Sequence, residues 1–525
     1  MAGWRVFNTV RLRWHLLSNR ESVVIIVWYA VCALCYETSV HSILLMNKAV
    51  VLILFIPTIV FYSLLGLVGE VFVGRHRLIN FSMWVQWIAM IMSALVTALK
   101  LAYDFPQWEE ILLIAVPSIV QFIGLSAFQV TAVQFGIDQI QGASSKHLSA
   151  FIFWYFFMEL IPKSVFHLVA TVLSNYVVVE LGIHLGCCIF CVALLSFILC
   201  IKSCFMSNWF LGDPENGTAY TNHSGNQSYK HNPYSLVYHV IKFAIKHKHP
   251  IQRSALTYWE DNIPSRIDLG KSKYGGPFTS EEVENVKTLF QLIKVLVSLF
   301  GIFVASFSVN VDLYQNVVLT AKSSVLIQVS YDIGMVAVFI LLFLFLFIPG
   351  CHKCLPRMLK RVWIGATITA ASALSILLIE SITVSSEHTE DQEVPCMVTL
   401  HTAYLQLIPM ILCVGSYIIF TISLFEFIVA QSPQTMKGIL IGLYYTLRFG
   451  LAGLFIVAEN RVFKMYYPTH NNVLSCTTTH YMEVTLIGLL SLLTYTIIAY
   501  KYKPRERDDI VNVHIFAEEY YTQSD

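Results

Sequence analysis

Charge is what this chain of 525 residues has least of: Asp, Glu, Lys and Arg together make up 13% of it, where soluble chains run near about a quarter. A water-facing surface on so long a polypeptide needs many more solvated side chains, which excludes an ordinary soluble protein. A net imbalance is missing too. The formal charge is +1, so nothing points to nucleic acid or another polyanion as a partner. The 12 cysteines lie largely in apolar runs, too few for a disulfide-stapled scaffold. The basic N-terminus (MAGWRVFNTVRLRWHLLSNRES) has no apolar core or small-residue cleavage site of a signal peptide, and reads as a lead-in to a first membrane helix. No nucleophile–base set, phosphate loop or metal-ligand cluster is legible. The reading is therefore not an enzyme, with no cofactor and no metal.

What the chain does have is apolar mass. Hydrophobic residues reach 56%, with 35 Phe, 26 Tyr and 10 Trp, and lipid is the economical solvent for such a surface. A helix needs about 20 mostly apolar residues to cross the hydrocarbon core. Runs of that kind fall at 23–40, 49–73, 79–99, 111–135, 150–173 and 177–199, then at 289–309, 333–348, 362–382, 403–429, 438–458 and 484–500. Barrel-like alternation is absent. The expected fold is an all-α membrane bundle of about twelve helices in two six-helix halves.

Lys and Arg set the expected orientation. Arg5, Arg11, Arg13 and Arg20 precede the first span, and Arg75 and Arg77 follow the second. Lys353, Arg357, Lys360 and Arg361 follow the eighth, and Lys501, Lys503, Arg505 and Arg507 follow the last. Both termini are therefore expected in the cytoplasm. The organisation expected is a cytoplasmic N-terminus (1–22), an N-terminal bundle (23–205), a cytoplasmic inter-bundle loop (206–287), a C-terminal bundle (288–501) and a cytoplasmic tail (502–525). On this parity the loop's sequons at Asn216, Asn222 and Asn226 stay silent, because glycosylation needs the opposite compartment. Cys396 and Cys476 fall in that oxidising compartment and form a candidate disulfide.

Five segments carry a family resemblance. Gly66-Leu-Val-Gly-Glu70-Val-Phe-Val-Gly74-Arg75-His-Arg77 resembles the cytoplasmic turn after the second span of the proton-dependent oligopeptide transporters, a peptide branch of the major facilitator superfamily. Phe135-Gly-Ile-Asp138-Gln139 matches that family's Phe-Gly-x-Asp-Gln after the fourth span. Tyr274-Gly-Gly-Pro-Phe278 leads towards the seventh, Leu359-Lys-Arg-Val-Trp-Ile-Gly365 into the ninth, and Phe425-Glu426-Phe427 with Gln431-Ser-Pro433 follows the tenth. The matches are colinear. They imply two halves that rock about a midplane site, with Glu70, Arg75, Arg77, Asp138 and Glu426 as cytoplasmic gate candidates.

The same alignment shows departures. Where the resemblance implies a first-span Glu-x-x-Glu-Arg, this chain reads Leu34-Cys-Tyr-Glu37-Thr38. Gln129 stands at the expected fourth-span lysine and Tyr417 at the expected tenth-span glutamate. A zwitterionic peptide needs opposite charges held across a dry site, since each unpaired terminus costs several kcal/mol to desolvate. Three of the usual charges are neutral here. The remaining intramembrane charges become the coupling or binding candidates, because charge inside a bilayer is costly. Glu159 and Lys163 share a helix face around Pro162, either for a solute or as a self-neutralising pair. Glu37 and His41 share a face of the first span, as a proton relay or as interfacial polar residues. Arg448 has two roles open to it, holding a solute carboxylate or pairing with Glu426.

The leading reading is a secondary active transporter of small organic solutes, with proton-coupled di- or tripeptide symport as its specific form. A non-peptide transporter without the usual coupling, and a transport-inactive receptor or scaffold, are the alternatives. The expected membrane is the plasma or the endolysosomal membrane. The partners are a small solute, protons and the bilayer.

Overall fold

The computed structural model describes residues 20–46, 49–103, 105–138, 151–159, 162, 177–205, 233–247, 265–309, 357–387, 405, 407–433, 436–466 and 473–502. Lys163, Cys396, the sequons and the expected eighth span lie outside these residues, and so do the side chains of His41, Asp138 and Cys476. The described residues are helical apart from turns and one isolated bridge between Lys271 and Phe278. Helix is what lipid dictates, since each segment must satisfy its own backbone where no water can.

The first half comprises α1 (Arg20–Met46), α2 (Ala49–Val71), α3 (Arg75–Ala102), α4 (Gln107–Asp138), α5 (151–159) and α6 (Val177–Phe205). A loop helix α7 (Pro233–Lys246) leads to the second half. That half holds α8 (Ser280–Ser298), α9 (Phe300–Val309), α10 (Met358–Glu387), α11 (407–431), α12 (437–466) and α13 (Val473–Lys501). Six of the described helices are long and apolar enough to cross a membrane, and α8 with α9 makes a seventh. The chain is an integral, multi-pass membrane protein built as a helical bundle in two halves.

Sequence expectation and observed helix differ most at two ends. The span expected from Leu289 begins at Ser280, where Thr279 and Glu282 form a reciprocal capping box. The span expected from Val484 begins at Val473. In both places the extra turns are polar, so hydropathy under-counts them.

α4 packs against α1, α2 and α3, and α10 packs against α11 and α13. Outward stripes such as Phe81, Trp84, Ile88 and Leu95 on α3, and Leu486, Leu489, Leu493 and Ile497 on α13, are exposed. The opposite face of α3 buries Ser82, Gln86, Ser93 and Thr97. This inverts the soluble pattern, as a lipid-facing helix should.

Three backbone irregularities matter. α8 and α9 meet at a 42° bend. There the Ser491 hydroxyl of α13 donates to Ser298 O at 2.6 Å and accepts from Ile302 N–H at 3.3 Å. A side chain inserted into the helical ladder is a recognised cause of a kink, and this one re-aims α9. The other two are π-helical turns, Tyr417–Ile422 within α11 and Thr446–Leu451 within α12. Single π turns are rare and recur at functional sites.

Ahead of α8 the chain is tightly folded. Gly275 takes the left-handed conformation (φ 82°) that suits glycine, and Phe278 N–H donates to Gly270 O at 3.1 Å. Lys271 pairs with Asp268 at 2.7 Å and with Glu284, while Lys287 lies 2.9 Å from Asp268. Burial opposes charge on Asp268, but hydrogen bonds from Lys271, Ser265 and Lys287 outweigh it and hold its carboxyl well below the usual carboxylate range. Burial likewise opposes charge on Lys271, and hydrogen bonds to Asp268 and Glu284 overcome it and raise its ammonium.

Candidate functional site

The two π turns face each other's side chains. From one comes Tyr417 and from the other Arg448, whose guanidinium lies 5.4 Å from the Tyr417 ring centre, 5.8 Å from that of Tyr444 and 5.0 Å from that of Phe449. Each is within cation–π range. Arg448 also donates a short hydrogen bond from Nη1 to the Tyr444 hydroxyl, one α-helical turn before it. Among the described residues no carboxylate is in ion-pair contact with Arg448. It is enclosed deep in the bundle, yet it, Tyr417 and Phe449 each keep part of their surface accessible. That combination points their free faces into the bundle interior.

Tyrosines from several helices complete the centre. Tyr29 of α1 stacks on Tyr155 of α5 at 3.8 Å, and Tyr62 of α2 stacks on Tyr445 of α12 at 5.1 Å. All four are buried. The Tyr62 hydroxyl donates to Gln129 Oε1 at 2.7 Å. The Tyr445 hydroxyl is buried with no hydrogen-bond partner among the described residues. Glu159 of α5 is buried, within electrostatic reach of Tyr29, Tyr155, Tyr444, Tyr445 and Arg448. The structure thus gathers Gln129, Glu159, Tyr417 and Arg448 into one region. Glu37 is part-buried two turns beyond Tyr29 on α1, about 12 Å along the axis.

Gln129 and Tyr417, which replace the charges the resemblance implied, both sit in this centre and carry phenol and amide chemistry there. The run 151–157 is buried throughout. Phe156 packs edge-on against Phe425 and Tyr417, at 5.2 and 6.5 Å, so its phenylalanines serve packing while Tyr155 serves the centre.

Three of the gate candidates, Glu70, Arg75 and Glu426, fall into ion pairs. Glu70 at the end of α2 accepts the backbone N–H of Gly438 at 2.6 Å and lies 3.8 Å from Arg75. It therefore joins the first half to the second. Beside it the backbones of α2 and α12 nearly touch. A Cβ on Gly66 would meet Gly438 O at 2.4 Å, and one on Gly442 would meet Tyr62 O at 2.6 Å. Ser63 and Thr446 exchange a 3.0 Å hydrogen bond further along the same seam. The halves are closed at the end that bears Arg75 and Arg77. Arg77 is exposed. Burial, then the Glu70 charge, raises the Tyr234 phenol of α7, which puts the inter-half helix beside this gate.

Glu426 settles one of the open alternatives. It pairs with Arg361 of α10 at 3.0 Å, both side chains nearly enclosed, so it stays within the second half and is not the partner of Arg448.

Sequence reasoning missed two things. Tyr29, Tyr62, Tyr155, Tyr444 and Tyr445 are five of 26 tyrosines with nothing local to distinguish them, except that Tyr444 stands one turn before Arg448. It also missed a set at the opposite end of the second half. There Glu459 Oε1 lies 2.8 Å from His480 Nδ1, and His480 Nε2 lies 3.0 Å from Ser308 Oγ. Among the described residues no group of three or more His, Cys, Asp or Glu is arranged to hold a metal ion.

No family model matches the chain. Its fold is similar to that of the POT family transporter PepTSo, with a TM-score of 0.57 at 15% identity, covering 93% of this chain and 99% of that one. An auto-inhibited POT family peptide transporter matches equally, with a TM-score of 0.57 at 14% identity over 94% and 99% of the two chains. Identity so low speaks to the fold alone, and the fold is the twelve-helix, two-halves bundle of the major facilitator type.

Proposed function

We propose that this protein is a secondary active transporter that moves a small organic solute with an anionic group by alternating access. The observation that carries this reading is Arg448. A guanidinium deep in a membrane bundle, met by phenols and ring faces and by no carboxylate among the described residues, is only partly compensated. A solute carboxylate or phosphate supplies the missing charge, and the planar fork of arginine fits it bidentately. Glu159, within electrostatic reach of Arg448, suits a solute that also carries an amine. A di- or tripeptide is one such solute. A second reading, a non-peptide organic anion, is favoured by Gln129 and Tyr417 where charged peptide-binding residues were implied.

The seam at Gly66, Gly438 and Glu70 supports the transport cycle. It closes one end of the path by direct backbone contact, and parting it exposes the centre to that side.

The test is uptake into proteoliposomes of a labelled hydrolysis-resistant dipeptide and of a panel of small organic anions, with and without an inward proton gradient. Gradient-driven dipeptide accumulation selects the peptide symport form. Uptake of an anion without the dipeptide selects the second reading. No uptake of anything, from folded protein, overturns transport and leaves the receptor or scaffold role. Arg448→Lys should strongly reduce whichever uptake is found.

A further inference from the structure

We propose that Ser308, His480 and Glu459 form a proton-binding site whose charge state is tied to the packing of α9, α12 and α13. The ligand is the proton itself. The site rests on the alternating-access reading only for what its protonation controls.

The geometry is that of a relay. Glu459 of α12 contacts one imidazole nitrogen at 2.8 Å, and Ser308 of α9 contacts the other at 3.0 Å. The carboxylate fixes which nitrogen keeps a hydrogen, so Nδ1 donates to Glu459, and Nε2 takes or releases the titrating proton towards the Ser308 hydroxyl. The pair is largely enclosed, with 12% of the His480 side chain and 6% of the Glu459 side chain exposed. Glu483, three residues further along α13, lies within electrostatic reach of both. Tyr481 packs edge-on against the imidazole at 5.3 Å. Among the described residues, these are the titratable groups that face it.

The order hydroxyl, imidazole, carboxylate is also that of a hydrolytic triad. The backbone argues against that use. Ser308 lies within a helix, where neighbouring N–H groups are committed to the ladder and cannot converge on an oxyanion. Proton binding needs no such hole.

Three features give protonation mechanical consequences. The three side chains come from three different helices, so each charge state of His480 changes contacts that join them. Glu459 and His480 stand at the outer ends of their spans, where protons arrive from water on the side away from the Arg75 turn. Glu459 also shares α12 with Arg448, about 16 Å further along the axis, and α12 carries the glycine seam. A shift of α12 set off at one end is therefore felt at both the centre and the gate.

The test reads the proton directly, on the full chain in lipid nanodiscs. Diethyl pyrocarbonate, which modifies imidazole only in its neutral form, is applied from pH 5.5 to 8, and modification of His480 is followed by peptide mass spectrometry. Glu459→Gln should move the midpoint of that profile by about one pH unit, tenfold in proton affinity. Ser308→Ala, which leaves the ion pair intact, should move it less and serves if Glu459→Gln fails to fold. In parallel, genetically encoded spin labels at the exposed positions Leu101 and Met482 report the distance between halves at this end. The distance should redistribute between pH 8 and 5.5 in the parent and lose that response in His480→Gln. A His480 profile indifferent to both Glu459→Gln and Ser308→Ala overturns the site. A shifted profile with a pH-independent distance overturns its coupling. Failure of the transport reading would show separately, as absent uptake at every pH while the His480 profile still shifts.

Discussion

The centre and the seam of this molecule are built from opposite materials. At the centre, large polar aromatics from several helices gather around one arginine, carried on one of the two π turns. At the seam, side chains are nearly absent, and glycine lets two backbones meet. The centre can recognise because phenols and a guanidinium offer directional contacts. The seam can close because little stands between the chains beyond one carboxylate accepting one N–H and the Ser63–Thr446 hydrogen bond. Binding chemistry and closing chemistry are therefore separable, and substitutions should divide them.

The largest effect is expected at the centre. Arg448→Lys keeps charge but loses the planar fork, and should reduce solute uptake roughly 30- to 100-fold, or about 2 to 3 kcal/mol for a charge-assisted contact. The purified variant should elute as the parent does, because the lysine keeps the charge. The seam comes next. Gly438→Val forces side-chain bulk against Gly66 O, where even a Cβ would lie at 2.8 Å. Overpacking of this kind costs about 2 kcal/mol, and spin labels at the exposed Phe72 and Tyr500 should report a wider separation with solute affinity retained. Glu70→Gln keeps an acceptor but not its charge. It should weaken closure by about 1 kcal/mol, a several-fold shift in the same distance measurement. Tyr62→Phe leaves Gln129 Oε1 without its donor and should lower thermal stability by about 1 kcal/mol, with the seam unchanged.

The smallest effect is a flat line. Asp268 titrates below its ordinary 3.8, so its contribution is complete above that value and is lost as pH falls through the depressed one. Lys271 titrates above its ordinary 10.5, so its contribution is complete below that and is lost only as pH rises through the raised value. From about pH 5 to about pH 9 this network should not respond to pH, and Asp268→Asn should destabilise by the same amount throughout. Any pH response in that window then belongs elsewhere, and His480 is the group we assign it to.

The bundle was legible in sequence because lipid leaves a chain so few options. The run 362–382 lies inside Met358–Glu387, and the helix ends were missed by most where polar turns such as 473–480 continue a span beyond its apolar part. Arg448, Glu159, Gln129 and Tyr417 were legible as charges that lipid penalises or as departures from a motif. The tyrosine shell was not, because stacking partners such as Tyr29 and Tyr155 come from separate helices and carry no local signature. The same holds for His480, whose contacts lie 21 and 172 residues away and depend on a bend that Ser491 creates. The choice between Glu426 and a solute as partner for Arg448 needed coordinates, since Arg361 claims the glutamate.

The glycine contact between α2 and α12 has a consequence for water. When an interface of interlocked apolar side chains parts, it exposes hydrocarbon and must re-sort rotamers on both faces. When the Gly66–Gly438 contact parts, it uncovers mainly peptide groups, which water solvates readily, and it leaves little beyond the Glu70 side chain to rearrange. The two states of this joint can thus lie close in free energy although one of them is a nearly perfect fit. A barrier made of backbone shuts tightly and wets easily.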